Sequence, residues 1–146
     1  MNAYIDTSVL GAYYCPEAQS SVAEAALRGI EVPVISGLSE LEFCSLIAKK
    51  RRLQELTVQR AQKILDLFGN HVSEGFYRRI SLTAEHYSRA RELVGTTRIP
   101  LHTLDALHLA AALIETLPIL TADKGLAAAA KRHKAKVIMI RGSGPN

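Results

Sequence analysis

Short apolar runs alternate with helix-forming stretches along the whole chain, and this alternation limits the fold more than any other feature. NAYID, VPVIS, LPILTAD and KVIMI read as strands, and YRRISLT as a fifth of mixed polarity. The stretches between them carry helical spacing or helix punctuation. TSVLGAYYC stops at Pro16, AQSSVAEAALRG stops at Gly29, and TVQRAQKILDLFGN runs from a Thr57 cap to Gly69. LSELEFCSLIAKKRRLQ repeats Leu38, Leu41, Cys44 and Ala48 at helical spacing, which predicts these residues as its buried stripe. TAEHYSRARELVG is capped by Thr83, LHTLDALHLAAALIE by Thr103, and KGLAAAAKRHK completes the set. Strands that are apolar without clean alternation are buried on both faces, which requires helices above and below a mostly parallel sheet. The expected fold is therefore α/β, a three-layer α/β/α sandwich.

At 146 residues the chain suits one domain, expected over 1–141, with 142–146 a flexible tail. Lys and Arg outnumber Asp and Glu by 18 to 14, a balance that mildly favours a polyanionic partner. The two cysteines, Cys15 and Cys44, form no close pair. That excludes a thiolate zinc site of ordinary spacing and a disulfide framework, and it suits a reducing, cytoplasmic setting. No leader pattern and no charge-free run of bilayer length is visible, so no membrane partner is expected.

In open parallel sheets, chemistry collects beyond the carboxyl ends of the strands. Two strands of this chain end there in an aspartate, Asp6 and Asp123. Either can be a plain helix cap, but if the two strands are neighbours their carboxylates converge. Asp105 is a third candidate, in the first turn of a helix whose other residues are almost all apolar. The helix dipole alone would favour an acid there. Glu42 is a fourth, set beside Leu41 and Phe43, and Glu40 lies two residues away on another face. Glu40 reads as a first-turn acid behind a Ser36 or Ser39 cap, and both glutamates stay open at this point. Carboxylates gathered in one cleft repel each other and raise each other's pKa unless a cation offsets the charge. Oxygen donors suit magnesium or manganese, which can acidify water and stabilise charge on a phosphate. A basic protein with such a pocket suits phosphodiester hydrolysis, with surface Lys and Arg holding the nucleic acid backbone.

YIDTSVL, VISGLSELEF, LHTLDALHLAAAL and ILTADKGLAAAA resemble, in order and over nearly the whole chain, four stretches of the PIN domain. The nearest resemblance is to VapC-type toxins of toxin–antitoxin systems. It implies a PIN-like sandwich in which Asp6, Glu42, Asp105 and Asp123 are the catalytic carboxylates around Mg2+ or Mn2+. Glu42 matches better than Glu40 because it precedes Phe43 and follows the serine–x–leucine lead-in. The resemblance further implies an endoribonuclease that leaves 5′-phosphate and 3′-hydroxyl ends. It also implies a homodimer, and a cognate antitoxin that inserts a segment into the cleft and binds DNA. Hydroxyls at Thr7, Ser8 and Thr121 stand where family members often carry them.

Other groups read more plainly. KKRR (Lys49–Arg52) and KRHKAK can meet RNA or simply be solvated helix ends. Arg78 and Arg79 should face opposite ways if they occupy a strand. His108 follows Asp105 by three residues, yet a histidine in so apolar a helix is expected to be a satisfied core residue. His102 is looser, near that helix's start. His71, His86 and His133 are expected at the surface, and Tyr13 and Tyr14 to pack between helices. A haloacid-dehalogenase-like phosphatase would need an acid where Ser8 stands, and a receiver domain would need an aspartate in YRRISLT. A dinucleotide-binding fold would need a glycine fingerprint after the first strand. The rival of another class is a PIN-like module that binds RNA or protein without cutting.

Overall fold

The first strand, β1 (Asn2–Ile5), lies at the centre of a five-stranded sheet in the computed structural model, which describes residues 1–96 and 98–141. The other strands are β2 (Val32–Ser36), β3 (Arg78–Ile80), β4 (Ile119–Thr121) and β5 (Val137–Met139), in the order β3-β2-β1-β4-β5. Every pairing is parallel, so the sheet is wholly rather than mostly parallel. The expected 142–146 tail lies outside the described residues.

Among the described residues seven helices connect these strands: α1 (Thr7–Tyr14), α2 (Ser20–Arg28), α3 (Gly37–Arg52), α4 (Val58–Ser73), α5 (Ala84–Thr96), α6 (Thr103–Ile114) and α7 (Lys124–Arg132). Alternate strand residues point to opposite faces, and each face has its own core. Ala3, Ile5, Ile35 and Leu120 pack with Leu10, Phe43, Ile47 and Phe68 of α1, α3 and α4. Tyr4, Val34 and Ile119 pack with Leu93, Leu109 and Leu126 of α5, α6 and α7. This is the α/β/α sandwich the alternation required.

Several local expectations are corrected. The buried stripe of α3 is Ser39, Phe43 and Ile47, whereas Leu41 is 69% exposed and Cys44 is also exposed. The bulk of Phe43, whose ring lies 4.5 Å from that of Phe68, decides which face turns inward over an apolar count that included small residues. Helix α4 continues through Gly69, which has open space around it, and ends at Ser73. The turn beyond it uses Gly75 at φ +78°, a conformation that glycine adopts without a Cβ penalty. His102 rather than Thr103 is the N-cap of α6, and Asp105 stays in the first turn. His86 is buried, with Nδ1 accepting from the Thr83 backbone N–H at 3.0 Å. His71 is half-buried against the Tyr14 hydroxyl at 2.6 Å, and His133 is also half-buried. Tyr14 packs between helices as expected, against Phe43 and Phe68. Arg78 and Arg79 do diverge, to Glu115 and Glu40 respectively.

Candidate active site

The two strands that end in aspartate are neighbours. β1 pairs with β4 with Ile5 opposite Leu120, and the Asp6 N–H donates to the Leu120 carbonyl at 2.9 Å. Asp6 therefore emerges beside Thr121, at the carboxyl edge of the sheet. It is the N-cap of α1, yet its side chain caps nothing. Its Oδ2 instead accepts from Ser8 Oγ at 2.5 Å and Thr121 Oγ1 at 2.8 Å. These hydroxyls are oriented in turn, because Ser8 Oγ accepts from the Ala122 N–H at 3.0 Å and Thr121 Oγ1 from the Asp123 N–H at 2.9 Å.

Asp123 serves as the N-cap of α7, its Oδ1 accepting from the Leu126 N–H at 2.8 Å. The cap reading of Asp123 thus holds for one oxygen. Glu42 projects from α3, where Oε1 accepts from Thr7 Oγ1 at 3.0 Å and from His108 Nε2. Glu40 leaves this region and pairs with Arg79 at 2.9 Å. In Asp6, Glu42 and Asp123 alike, one carboxylate oxygen is engaged and the other has no protein partner among the described residues.

Asp105 reports on the company it keeps. Burial pushes its carboxyl up to about 6 from 3.8, and the nearby charges of Asp6, Asp123 and Glu42 push the same way. Four acids from four separate stretches thus share one electrostatic neighbourhood. Burial alone would raise Glu42 too, but the His108 hydrogen bond and the Thr7 hydroxyl outweigh it and hold that carboxyl below its usual range.

A cavity of about 330 Å³ opens beside Glu42, lined also by Thr7, Ser8, Ser45, Lys49 and Leu104. A larger one, about 520 Å³, lies among Gly37, Leu41, Ile80 and Tyr87 and touches none of the four acids. The chemistry belongs with the acids, since the larger cavity offers Arg79 as its one charged side chain.

The donor set is all oxygen and mutually repelling, which is the chemistry a hard divalent cation relieves. Among the described residues, however, no group of three or more His, Cys, Asp and Glu side chains is arranged to hold a metal ion directly. Magnesium is commonly held by one or two carboxylates with water and substrate phosphate completing its shell. The donors fit that mode rather than a closed protein cage.

A model of the PIN-domain family matches residues 3–132. This chain belongs to the PIN-domain family. Several solved structures share the fold over most of the chain at low sequence identity. VapC20 of Mycobacterium tuberculosis, described as a sarcin–ricin-loop-cleaving toxin, is similar at TM-score 0.70 and 19% identity, covering 87% of this chain and 94% of its own. VapBC2 of Rickettsia felis, bound to a DNA fragment from its promoter, is similar at TM-score 0.68 and 14% identity, covering 97% and 100%. A toxin–antitoxin complex from Klebsiella pneumoniae is similar at TM-score 0.65 and 17% identity, covering 95% and 98%. No curated protein matches the sequence. No helix among the described residues is long and apolar enough to cross a membrane.

The residue that sequence reasoning undervalued is His108. It is a core histidine, fully buried, and it also bonds an acid of the site. The signal was present in the spacing: His108 stands one turn from Asp105, on the same side of α6.

Proposed function

We propose that this PIN-domain protein is a magnesium- or manganese-dependent endoribonuclease, the toxin of a toxin–antitoxin pair. The observation that carries the reading is the pairing of β1 with β4, which brings Asp6 and Asp123 to one sheet edge, each with one oxygen engaged; the like charge that Asp6, Glu42 and Asp123 place on Asp105 agrees with it. Family membership supports a nuclease, and the VapC and VapBC neighbours support the toxin assignment. Asp6, Glu42, Asp105 and Asp123 would hold the cation, with water completing its coordination. When bound, the cation supplies an acidified water and charge stabilisation at the scissile phosphate.

The chain's own groups set the stage for that chemistry. Ser8 and Thr121 fix the Asp6 carboxylate, and the α7 amide end fixes Asp123. Asp105, placed in the first turn of α6 beside the charges of Asp6, Glu42 and Asp123, would be held ionised with the cation in place. Lys49, on the cavity wall beside Glu42, would hold an RNA phosphate next to the cut. The reading extends to a cytoplasmic protein, a homodimer, and an antitoxin as partner. The Klebsiella pneumoniae neighbour is itself a toxin–antitoxin complex.

The test is purification without any antitoxin, followed by incubation with RNA and magnesium and mapping of the cut ends. Cleavage leaving 5′-phosphate and 3′-hydroxyl ends is expected, abolished by EDTA and by Asp6→Asn, Asp105→Asn or Asp123→Asn. Full magnesium-dependent cleavage by all three variants refutes the assignment of roles. Negligible manganese binding by both wild type and Asp6→Asn, with RNA still bound, would instead identify a binding module.

A further inference from the structure

We infer that His108, braced by Tyr4, is a positioning residue that fixes Glu42 so that a single carboxylate oxygen, Oε2, remains for the reaction. The inference rests on the nuclease reading above. His108 has no exposed surface, and both of its ring nitrogens are engaged. Nε2 meets Glu42 Oε1, and since a carboxylate can only accept, the imidazole is the donor. Nδ1 meets the Tyr4 hydroxyl at 2.7 Å. That hydroxyl also reaches Ser36 Oγ at 2.9 Å and Ser39 Oγ at 3.3 Å, the two side chains that form the capping box of α3. Burial pushes the Tyr4 phenol up to about 12, so it stays a neutral hydroxyl and keeps its place in the chain of bonds.

The chain closes on itself. It leaves α3 at its N-terminus, crosses β1 through Tyr4, crosses α6 through His108, and returns to α3 at Glu42. An imidazole held at both nitrogens cannot turn without breaking both bonds. Thr7 Oγ1 donates to the same Oε1 at 3.0 Å, so the two donors grip one end of the carboxylate. Oε2 has no protein partner among the described residues. A glutamate is long and rotamer-rich, and without this grip its oxygens would sample many positions. Packing alone does not account for the histidine. A leucine would suit so apolar a helix and would leave no buried polar atom to satisfy.

The test compares His108→Leu, His108→Gln and Tyr4→Phe, each alone and in a Glu42→Gln background. Gln at this position keeps an N–H that can donate to Glu42. His108→Leu should lower kcat about 10–100-fold, the range for partners that orient a ligating group, with little change in KM. His108→Gln should recover much of that loss, and Tyr4→Phe should show a smaller fall in a protein that folds normally. With Glu42→Gln already in place, His108→Leu should cost little more, because the group it positions is gone. Nitrogen NMR of histidine-labelled protein gives a readout independent of activity: the His108 signals should move on Glu42→Gln and on Tyr4→Phe. Equal losses in the two backgrounds, or His108 signals indifferent to Glu42→Gln, overturn the inference. If wild-type protein cuts no RNA, the nuclease reading fails and the nitrogen signals alone decide the contact.

Discussion

Replacing Asp105 by Asn should make the cation-free protein more stable at neutral pH, although it removes a group proposed for catalysis. The carboxyl is pushed up to about 6 from 3.8 by burial first and by Asp6, Asp123 and Glu42 next. A shift of about two units corresponds to about 3 kcal/mol at 1.36 kcal/mol per unit. Asp105 is only half-buried, so solvent screening reduces this to roughly 1–2 kcal/mol. The dipole at the start of α6 favours the charged form by about 0.3–1 kcal/mol, which is too little to reverse the sign. The linkage runs in one direction. Because the folded pKa lies above the unfolded one, Asp105 costs the wild type nothing below about pH 4, and its cost grows as pH rises through about 6. Asn at position 105 does not titrate, so the two proteins should match at the acidic end and diverge across that window. For a chain of this length 1 kcal/mol moves Tm by about 2–4 °C, so the variant should melt roughly 2–8 °C higher at pH 7. Urea and thermal melts of both proteins in EDTA, from pH 4 to 8, measure this. A variant no more stable than wild type at pH 7, or a difference that does not change between pH 4 and 7, refutes the reasoning.

The other predictions concern the cation, the glutamates and the core. Manganese at about 100 times its Kd should stabilise the wild type by about 2.7 kcal/mol and the Asp105→Asn protein by much less, which a melt with and without the ion checks. Glu42→Gln should sharply reduce RNA cleavage. Glu40→Gln should leave cleavage nearly unchanged and cost under about 1 kcal/mol, because it breaks only the exposed pair with Arg79. Phe43→Ala should cost about 3–5 kcal/mol in urea unfolding, since the ring is fully buried against Tyr14 and Phe68.

What the sequence made legible, it did through short-range signals. NAYID and LPILTAD each show a strand and its terminal acid in one glance, and a parallel sheet then places both acids at one edge. Whether they meet depends on strand order, and β1 beside β4 is a long-range fact that no local pattern states. The face of α3 is not legible from a count of apolar residues, which weights Ala48 and Cys44 like Phe43, whereas packing weights volume. Gly69 has the form of a stop signal, yet a helix tolerates a glycine at a cost of about 1 kcal/mol, and α4 runs through it. The His108 contact was hidden for a related reason. Core residue and site residue are not alternatives for His108, because its bonds to the Tyr4 hydroxyl and to Glu42 make one side chain both. A tyrosine in an otherwise apolar strand needs a polar partner inside, and in LHTLDALHLAAALI the histidine is the residue deep enough to supply it.

Holding four acids together requires an anchor stronger than their repulsion, and α6 provides one. From Ala106 to Ala112 every residue of this helix is buried. Fully burying one leucine contributes about 1.5–3 kcal/mol, so Leu107 and Leu109 together offset the roughly 1–2 kcal/mol that the charge on Asp105 costs. The apolar run in α6 and the lone acid at its tip are therefore two halves of one arrangement: packing along the helix holds a carboxylate where its neighbours oppose it. Sites built this way trade stability for a reactive geometry. The same logic fixes the order of effects that separates this account from a merely structural acid cluster. Removing the charge should stabilise the empty protein, and adding a divalent cation should restore the advantage to the wild type.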